Sequence, residues 1–259
     1  MQKGNMYKTD PVEPGSALTH DQRVVCALPP MSNNDFYMSS PDSERIMNPE
    51  CFSPEVEQFL QDERNHLTKV LLQEEYECII EVGCHAGHNS EWLSALCSQY
   101  IGVDINKSAI ADALKLRHRP GRIDFICTPV EKLRSLVLPV DKYPRRKLVL
   151  FPFNLFGNFI NVEELIEMLD MAGVDLAMSN FNTRSATTIG RYNYYVTCFG
   201  KSSIRVYDAE QGVLFKAGQS FRSVAYKPEY LTKLIHDISR YHGIITPFST
   251  YGDLFLLTK

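Results

Sequence analysis

Residues 77–104, ECIIEVGCHAGHNSEWLSALCSQYIGVD, constrain the fold of this 259-residue chain more than any other stretch. Ile79, Ile80 and Val82 make a short apolar, β-branched run of the kind buried on both faces of a parallel sheet. A tight turn follows, in which Gly83 and Gly87 free the backbone to bend sharply and to approach a ligand. Asn89-Ser90 can cap a helix whose apolar side is Trp92, Leu93, Leu96 and Cys97. Ile101-Gly102-Val103-Asp104 then predicts a second strand ending in a carboxylate. An acid there, about twenty residues past a glycine loop, is placed to accept from both hydroxyls of a ribose. The order strand, glycine loop, helix, strand therefore predicts an α/β fold with a nucleotide-binding edge.

Glycine spacing narrows the nucleotide. A dinucleotide site needs G-x-G-x-x-G with a pyrophosphate on the helix N-terminus, whereas Gly83 and Gly87 are separated by Cys84, His85 and Ala86. Glu81, near the end of the strand, would repel phosphates but suits a ligand carrying an ammonium and a sulfonium. On these residues the segment resembles the first two motifs of the class I S-adenosylmethionine-dependent methyltransferases. Glu81-x-Gly83-x-x-x-Gly87 stands as the loop and Asp104 as the ribose acid, with His85 replacing the family's middle glycine and its side chain expected to point outward. The resemblance implies S-adenosylmethionine as cofactor, held by Glu81, Gly83, Cys84, His85, Gly87, Asp104 and Ile105. It also implies a Rossmann-like seven-stranded sheet with helices on both faces and the last strand antiparallel at one edge.

Length and charge agree with one enzyme domain. The chain can bury a full core, and its 27 basic against 31 acidic residues, a net charge of −4, leave no footprint for nucleic acid. No apolar run approaches the roughly 18 residues of a membrane span, and the N-terminus lacks a signal-peptide core, so the expectation is a cytoplasmic protein that uses neither membrane nor nucleic acid. A homodimer is left open. Seven cysteines without a C-x-x-C pair, among them Cys78, Cys84 and Cys127, are expected to be reduced, small core hydrophobes.

Residues 1–52 are rich in Pro, Ser, Asn and Met and show no sustained periodicity, which predicts an arm or lid; Tyr37 in it could reach the methionine end of the cofactor. The main domain, 53–259, opens on a helix with Ser53 as N-cap, Pro54 at the first position and a stripe of Val56, Phe59, Leu60, His66, Leu67, Val70 and Leu71. A helix over 107–118 and a strand over 122–128 follow. In the resembled family the next loop runs along the adenine, which here places Thr128, Pro129, Val130 and Glu131 beside the base. A fourth strand at 147–153 delivers Phe153 and Asn154 to the crevice at the strand C-termini, where a carbonyl, an amide and an aromatic face suit an amine and a sulfonium.

After a helix over 161–171, capped by Asn161 and closed by Gly173, comes a fifth strand at 174–180. Residues 181–226 then predict a small antiparallel insert covering the crevice, with strands at 192–199, 204–207, 213–216 and 221–226. In a strand Tyr192 and Tyr194 share one face and could line a box for a nitrogen, and Arg184, Arg191 and Arg222 could clamp a carboxylate. A helix from Pro228 and a closing strand pair complete the chain. His85 and His88 lie on the cofactor side, away from the methyl, and are not expected as bases.

The leading expectation is metal-independent methyl transfer from S-adenosylmethionine to a small molecule, an amine or amino-acid-like acceptor, with Asn154, Tyr192 and Tyr194 holding the nucleophile. A second uses the same cofactor as its own nucleophile, closing a four-membered ring and releasing methylthioadenosine, as the azetidine-2-carboxylate synthases do. A third is a non-catalytic cofactor-binding module.

Overall fold

The computed structural model describes residues 34–40, 42–116, 122–136, 146–218 and 220–259. The part of the expected arm before residue 34 lies outside them. Two short helices, α1 (Asn34–Ser39) and α2 (Ser43–Ile46), lead into the long α3 (Pro54–Glu74). Ser53 caps α3 by accepting from the Val56 N–H, and Pro54 occupies its first turn, where its missing N–H costs nothing. There follow β1 (Cys78–Val82), α4 (Ser90–Ala95), β2 (Gln99–Asp104), α5 (Lys107–Ala113), β3 (Ile123–Cys127), α6 (Leu133–Leu136) and β4 (Lys147–Phe151). Then come α7 (Val162–Ala172), β5 (Asp175–Phe181), α8 (Ser185–Phe199), a hairpin-linked trio β6 (Ile204–Asp208), β7 (Gly212–Ala217) and β8 (Phe221–Tyr226), α9 (Pro228–Ile238), β9 (His242–Pro247) and β10 (Gly252–Thr258). No helix among the described residues is long and apolar enough to cross a membrane.

Seven strands form one sheet in the order β3-β2-β1-β4-β5-β10-β9. The first five run parallel, and β10 lies antiparallel between β5 and β9. The antiparallel last strand is thus second from the edge, not at it, because β9 adds outside it. Helices cover both faces. On one, α7 and α9 bury Ile166, Leu169, Leu231 and Ile235 against Ile80, Val149 and Phe151. On the other, Leu67 and Leu71 of α3 with Leu93 and Ile110 meet Ile79, Tyr100, Leu148 and Leu254. Alternate residues of β1 thus enter opposite cores, as a two-sided strand requires. Strand order reverses at β1, which pairs with β2 on one side and β4 on the other, so a crevice opens at the C-terminal ends of β1 and β4.

A third core joins Phe36, Ile46, Cys51, Val56 and Phe59 to Tyr194, Tyr195, Phe215 and Phe221. Phe36, Ile46 and Cys51 are therefore part of the packed body. Within this core the segment 192–199, expected as a strand, is the second half of α8. Its buried residues, Thr187, Gly190, Arg191, Tyr194, Tyr195 and Cys198, recur at helical spacing, while β-branched and aromatic content suggests strand. The antiparallel insert is correspondingly smaller, the three-stranded sheet β6-β7-β8. Cys127 is exposed, against expectation, whereas Cys78 and Cys84 are buried thiols. Asn89 and Asn161 precede their helices without capping them through their side chains.

Candidate active site

The loop after β1 is stitched to β2. The Gly83 and Cys84 N–H groups both donate to Val103 O, at 2.7 and 3.1 Å. Gly83 (φ 72°), His85 (φ 47°) and Gly87 (φ 80°) all adopt left-handed backbone. Gly83 is needed for its φ; a Cβ there would stand 2.6 Å from Leu155 Cδ2, the end of a flexible side chain that can move aside. Asp104 closes the loop, accepting from the His85 N–H through Oδ2 and the Asn106 N–H through Oδ1, each at 2.8 Å. Burial pushes its carboxyl up, and those two N–H groups pull it back towards the anion. His85 does not point outward. Its ring stacks on His88 at 5.5 Å, burial lowers its pKa so that it stays neutral, and its Nδ1 is buried without a partner.

Glu81 is buried, its carboxylate accepting from Asn89 Nδ2 at 2.7 Å and from the Tyr100 hydroxyl. Desolvation pushes its pKa up to about 7 against the downward pull of those two donors. Asn89, expected to cap α4, is spent on Glu81 and on accepting from Trp92 Nε1.

The turn after β4 is strained. Phe153 and Asn154 have φ of 51° and 55°, two successive side-chain-bearing residues in the left-handed region. Neighbouring groups hold them there. The Phe153 N–H donates to Glu63 Oε1 at 2.7 Å, and the Asn154 N–H to Ser179 O at 2.8 Å. Asn154 Nδ2 donates to Ser223 Oγ and Val224 O, and its Oδ1 accepts from the Phe181 N–H. Asn154 thus binds β5 and β8 to the turn. Its side chain is committed to the fold and does not line the cavity, which corrects its expected place beside a nucleophile.

One cavity of about 1430 Å³ joins these parts. Of the expected residues it is lined by Tyr37, Glu81, Gly83, Cys84, His85, Asp104, Ile105, Thr128, Pro129, Val130, Glu131, Phe153 and Tyr194. Gly87 and Tyr192 are not in the lining: Gly87 packs on Phe125, and Tyr192 lies on another side of α8 from Tyr194 because a helix, not a strand, carries both. The expected arginine clamp is absent from the lining too. Arg191 is 1% exposed, donates to Val213 O and Ser223 O and lies 4.6 Å from the Phe215 ring centroid, while Arg222 donates to Phe159 O and Arg184 is exposed.

Sequence reasoning passed over Glu63, Phe52, Asn106 and Asn158, all in the lining. Glu63 sits on the apolar stripe of α3, four residues after Phe59 and four before Leu67, and a charge on such a stripe was the available signal. Tyr37 crosses the cavity wall, its carbonyl accepting from Asn106 Nδ2 and its hydroxyl from Asn158 Nδ2. Among the described residues no group of three or more His, Cys, Asp or Glu is placed to hold a metal ion.

Residues 80–138 match the family model of a methyltransferase domain. No curated protein matches the sequence. Among solved structures, the chain is similar to one described as a DhpI–SAM–HEP complex, at 15% identity over 88% of this chain and 96% of that one, with a TM-score of 0.56. It is also similar to the PH0226 protein from Pyrococcus horikoshii OT3, at 14% identity, 83% and 98% coverage and a TM-score of 0.58. A third is magnesium protoporphyrin IX methyltransferase from Synechocystis PCC 6803 with bound SAH, at 13% identity, 87% and 98% coverage and a TM-score of 0.52. At such identities the likeness is one of fold. Strand order, glycine loop and matched segment agree: the chain has the fold of the class I S-adenosylmethionine-dependent methyltransferases.

Proposed function

We propose that this protein transfers the methyl group of S-adenosylmethionine to a small-molecule acceptor without the help of a metal ion. The residues present fit the cofactor. Asp104 offers two carboxylate oxygens for ribose hydroxyls, Gly83 lines the cavity in left-handed backbone, and the orphaned Nδ1 of His85 lies at the same edge. Thr128, Pro129, Val130 and Glu131 supply the wall for the adenine, and Glu81 with the Phe153 ring an environment for the ammonium and sulfonium. Once bound, the cofactor supplies an electrophilic methyl carbon and a neutral thioether leaving group. The chain's own contribution is to orient the acceptor against that carbon and to exclude water, a role that Tyr37 in the cavity wall and the aromatic residues beside it would serve.

Cavity size carries the reading. At about 1430 Å³ the space exceeds the roughly 300–1,000 Å³ typical of a single small-ligand site, and it accommodates a second molecule beside the cofactor. Ring closure within the cofactor, or simple sensing of it, needs no such room. Purified protein incubated with S-adenosylmethionine alone, then with a small-molecule extract, should form S-adenosylhomocysteine only in the second case. Methylthioadenosine formed from the cofactor alone would refute methyl transfer in favour of cyclisation.

A further inference from the structure

Glu63 has no role in holding the cofactor as described above, yet it is a carboxylate inside the same cavity. It is 5% exposed, and Oε1 accepts from the Phe153 N–H. That bond alone does not require an acid: a glutamine carbonyl would accept the same N–H without the cost of burying a charge. Glu63 shares the cavity lining with aromatic rings. The centroids of Phe52, Phe153 and Tyr194 lie 5.9–6.0 Å from one another, and all three side chains line the cavity. The charge of the lining points the same way. Glu81 and Asp104 serve the cofactor half, Glu131 and Glu164 add further acids, and among the described lining residues the one arginine or lysine is Arg64, exposed and 5.5 Å from the Trp92 ring centroid. An acidic cavity with an aromatic wall attracts cations and repels carboxylates and phosphates.

We propose that Glu63 and the wall of Phe52 and Tyr194, with the Phe153 ring shared between acceptor and cofactor sulfonium, bind the acceptor as a protonated amine, and that Glu63 takes the proton that frees its nitrogen. This rests on the methyl-transfer reading and names its substrate class. The ammonium passes one proton to the Glu63 carboxylate. The freed lone pair forms the bond to the methyl carbon as the carbon–sulfur bond breaks, its electrons staying on sulfur. The products are an N-methylated ammonium and a neutral thioether, and Glu63 returns its proton to water when they leave. Burial, with a smaller push from the neighbouring Glu81 carboxylate, raises the Glu63 carboxyl to about 7 against the pull of the Phe153 N–H and the Ser179 hydroxyl, which suits a group that accepts and releases a proton near neutral pH.

The test uses the full chain saturated with S-adenosylhomocysteine, titrated calorimetrically with benzylammonium and phenethylammonium, each against the alcohol of the same skeleton. The wild-type protein should bind the ammonium ions more tightly than the alcohols, and Glu63→Gln should lower ammonium affinity by roughly tenfold or more while leaving the alcohols unchanged. Phe52→Leu, which keeps the carboxylate, should weaken the ammonium ions by a smaller factor. S-adenosylhomocysteine itself should bind wild type and Glu63→Gln alike. Equal affinity for ammonium and alcohol, no ammonium binding, or Glu63→Gln losing cofactor affinity to the same degree would overturn the proposal. The last result would assign Glu63 to the cofactor's amino end. Failure of wild-type protein to bind S-adenosylhomocysteine would instead strike the methyl-transfer reading itself.

Discussion

Replacing Asn154 by alanine and by glycine separates two costs that the turn after β4 combines. Either change removes three side-chain hydrogen bonds and strands the Phe181 N–H and the Val224 carbonyl in buried surroundings, whereas the Ser223 hydroxyl still accepts from Arg191 Nη2 at 3.2 Å. With about 1–3 kcal/mol for each stranded partner, part of it recovered by relaxation, either variant should lose about 3–5 kcal/mol. Backbone strain then divides the two. At φ 55° alanine meets a left-handed penalty of roughly 1–2 kcal/mol that glycine escapes, less the roughly 0.4–1 kcal/mol by which glycine's freer unfolded chain disfavours folding. Asn154→Ala should therefore be the less stable variant by about 0.5–1 kcal/mol, opposite to the order at an ordinary position. Urea unfolding with shared slopes measures both quantities. An alanine variant as stable as the glycine variant, or either within about 1 kcal/mol of wild type, would refute the assignment of Asn154 to holding a strained turn.

Asp104→Ala removes the acceptor of two loop N–H groups and the two oxygens offered to a ribose, so affinity for S-adenosylhomocysteine should fall by roughly tenfold or more; unchanged affinity in calorimetry would sink the ribose assignment. Gly157→Ala would place a Cβ 1.9 Å from Val224 O, a backbone atom that cannot swing away, so it should cost about 3 kcal/mol or more in urea unfolding, and a near-neutral variant would disprove the tight docking of β8 on this turn. Glu63 and Glu81 both have folded pKa values raised from 4.5 to about 7, so the folded chain binds more protons than the unfolded one between those values. Their contribution to stability is full below about pH 4.5 and is lost as pH rises through about 7. The urea midpoint of wild type should fall over that window, and Glu63→Gln with Glu81→Gln should flatten it; the same decline in the double variant would contradict this.

Local signals carried the parallel half of the sheet. The Ile79-Ile80-Val82 run, the two glycines and Asp104 are close in sequence, and their hydrogen bonds follow from the strand–loop–helix order, so the form of this edge of the sheet could be read directly. Nonlocal packing hid the acceptor side. Tyr192 to Phe199 reads as strand from its residue types, and only the spacing of Thr187, Gly190, Arg191, Tyr194 and Tyr195, buried by partners 140 or more residues away in the case of Ile46, marks it as helix. Asn154 looked chemical because its neighbour Phe153 is; its role depends on Ser223 and Val224, 69 and 70 residues further on. Glu63 was obscured by the very regularity of the stripe around it, since one acid among apolar residues is easily counted as a lapse of pattern rather than as a group aimed inward.

Tyr37 is gripped from two directions, by Asn106 after β2 and by Asn158 after β4, while its neighbour Phe36 is buried against Phe199 and Phe221. The segment that carries it therefore works as a latch across the two loops flanking the switch point. A latch slows departure as well as entry. On the methyl-transfer reading, a ligand leaving past Tyr37 would have to break both hydrogen bonds, so a closure that excludes water would also lengthen the residence time of the spent cofactor. On the methyl-transfer reading proposed above, product release would then pace the cycle, and accumulated thioether product would act as a brake on it.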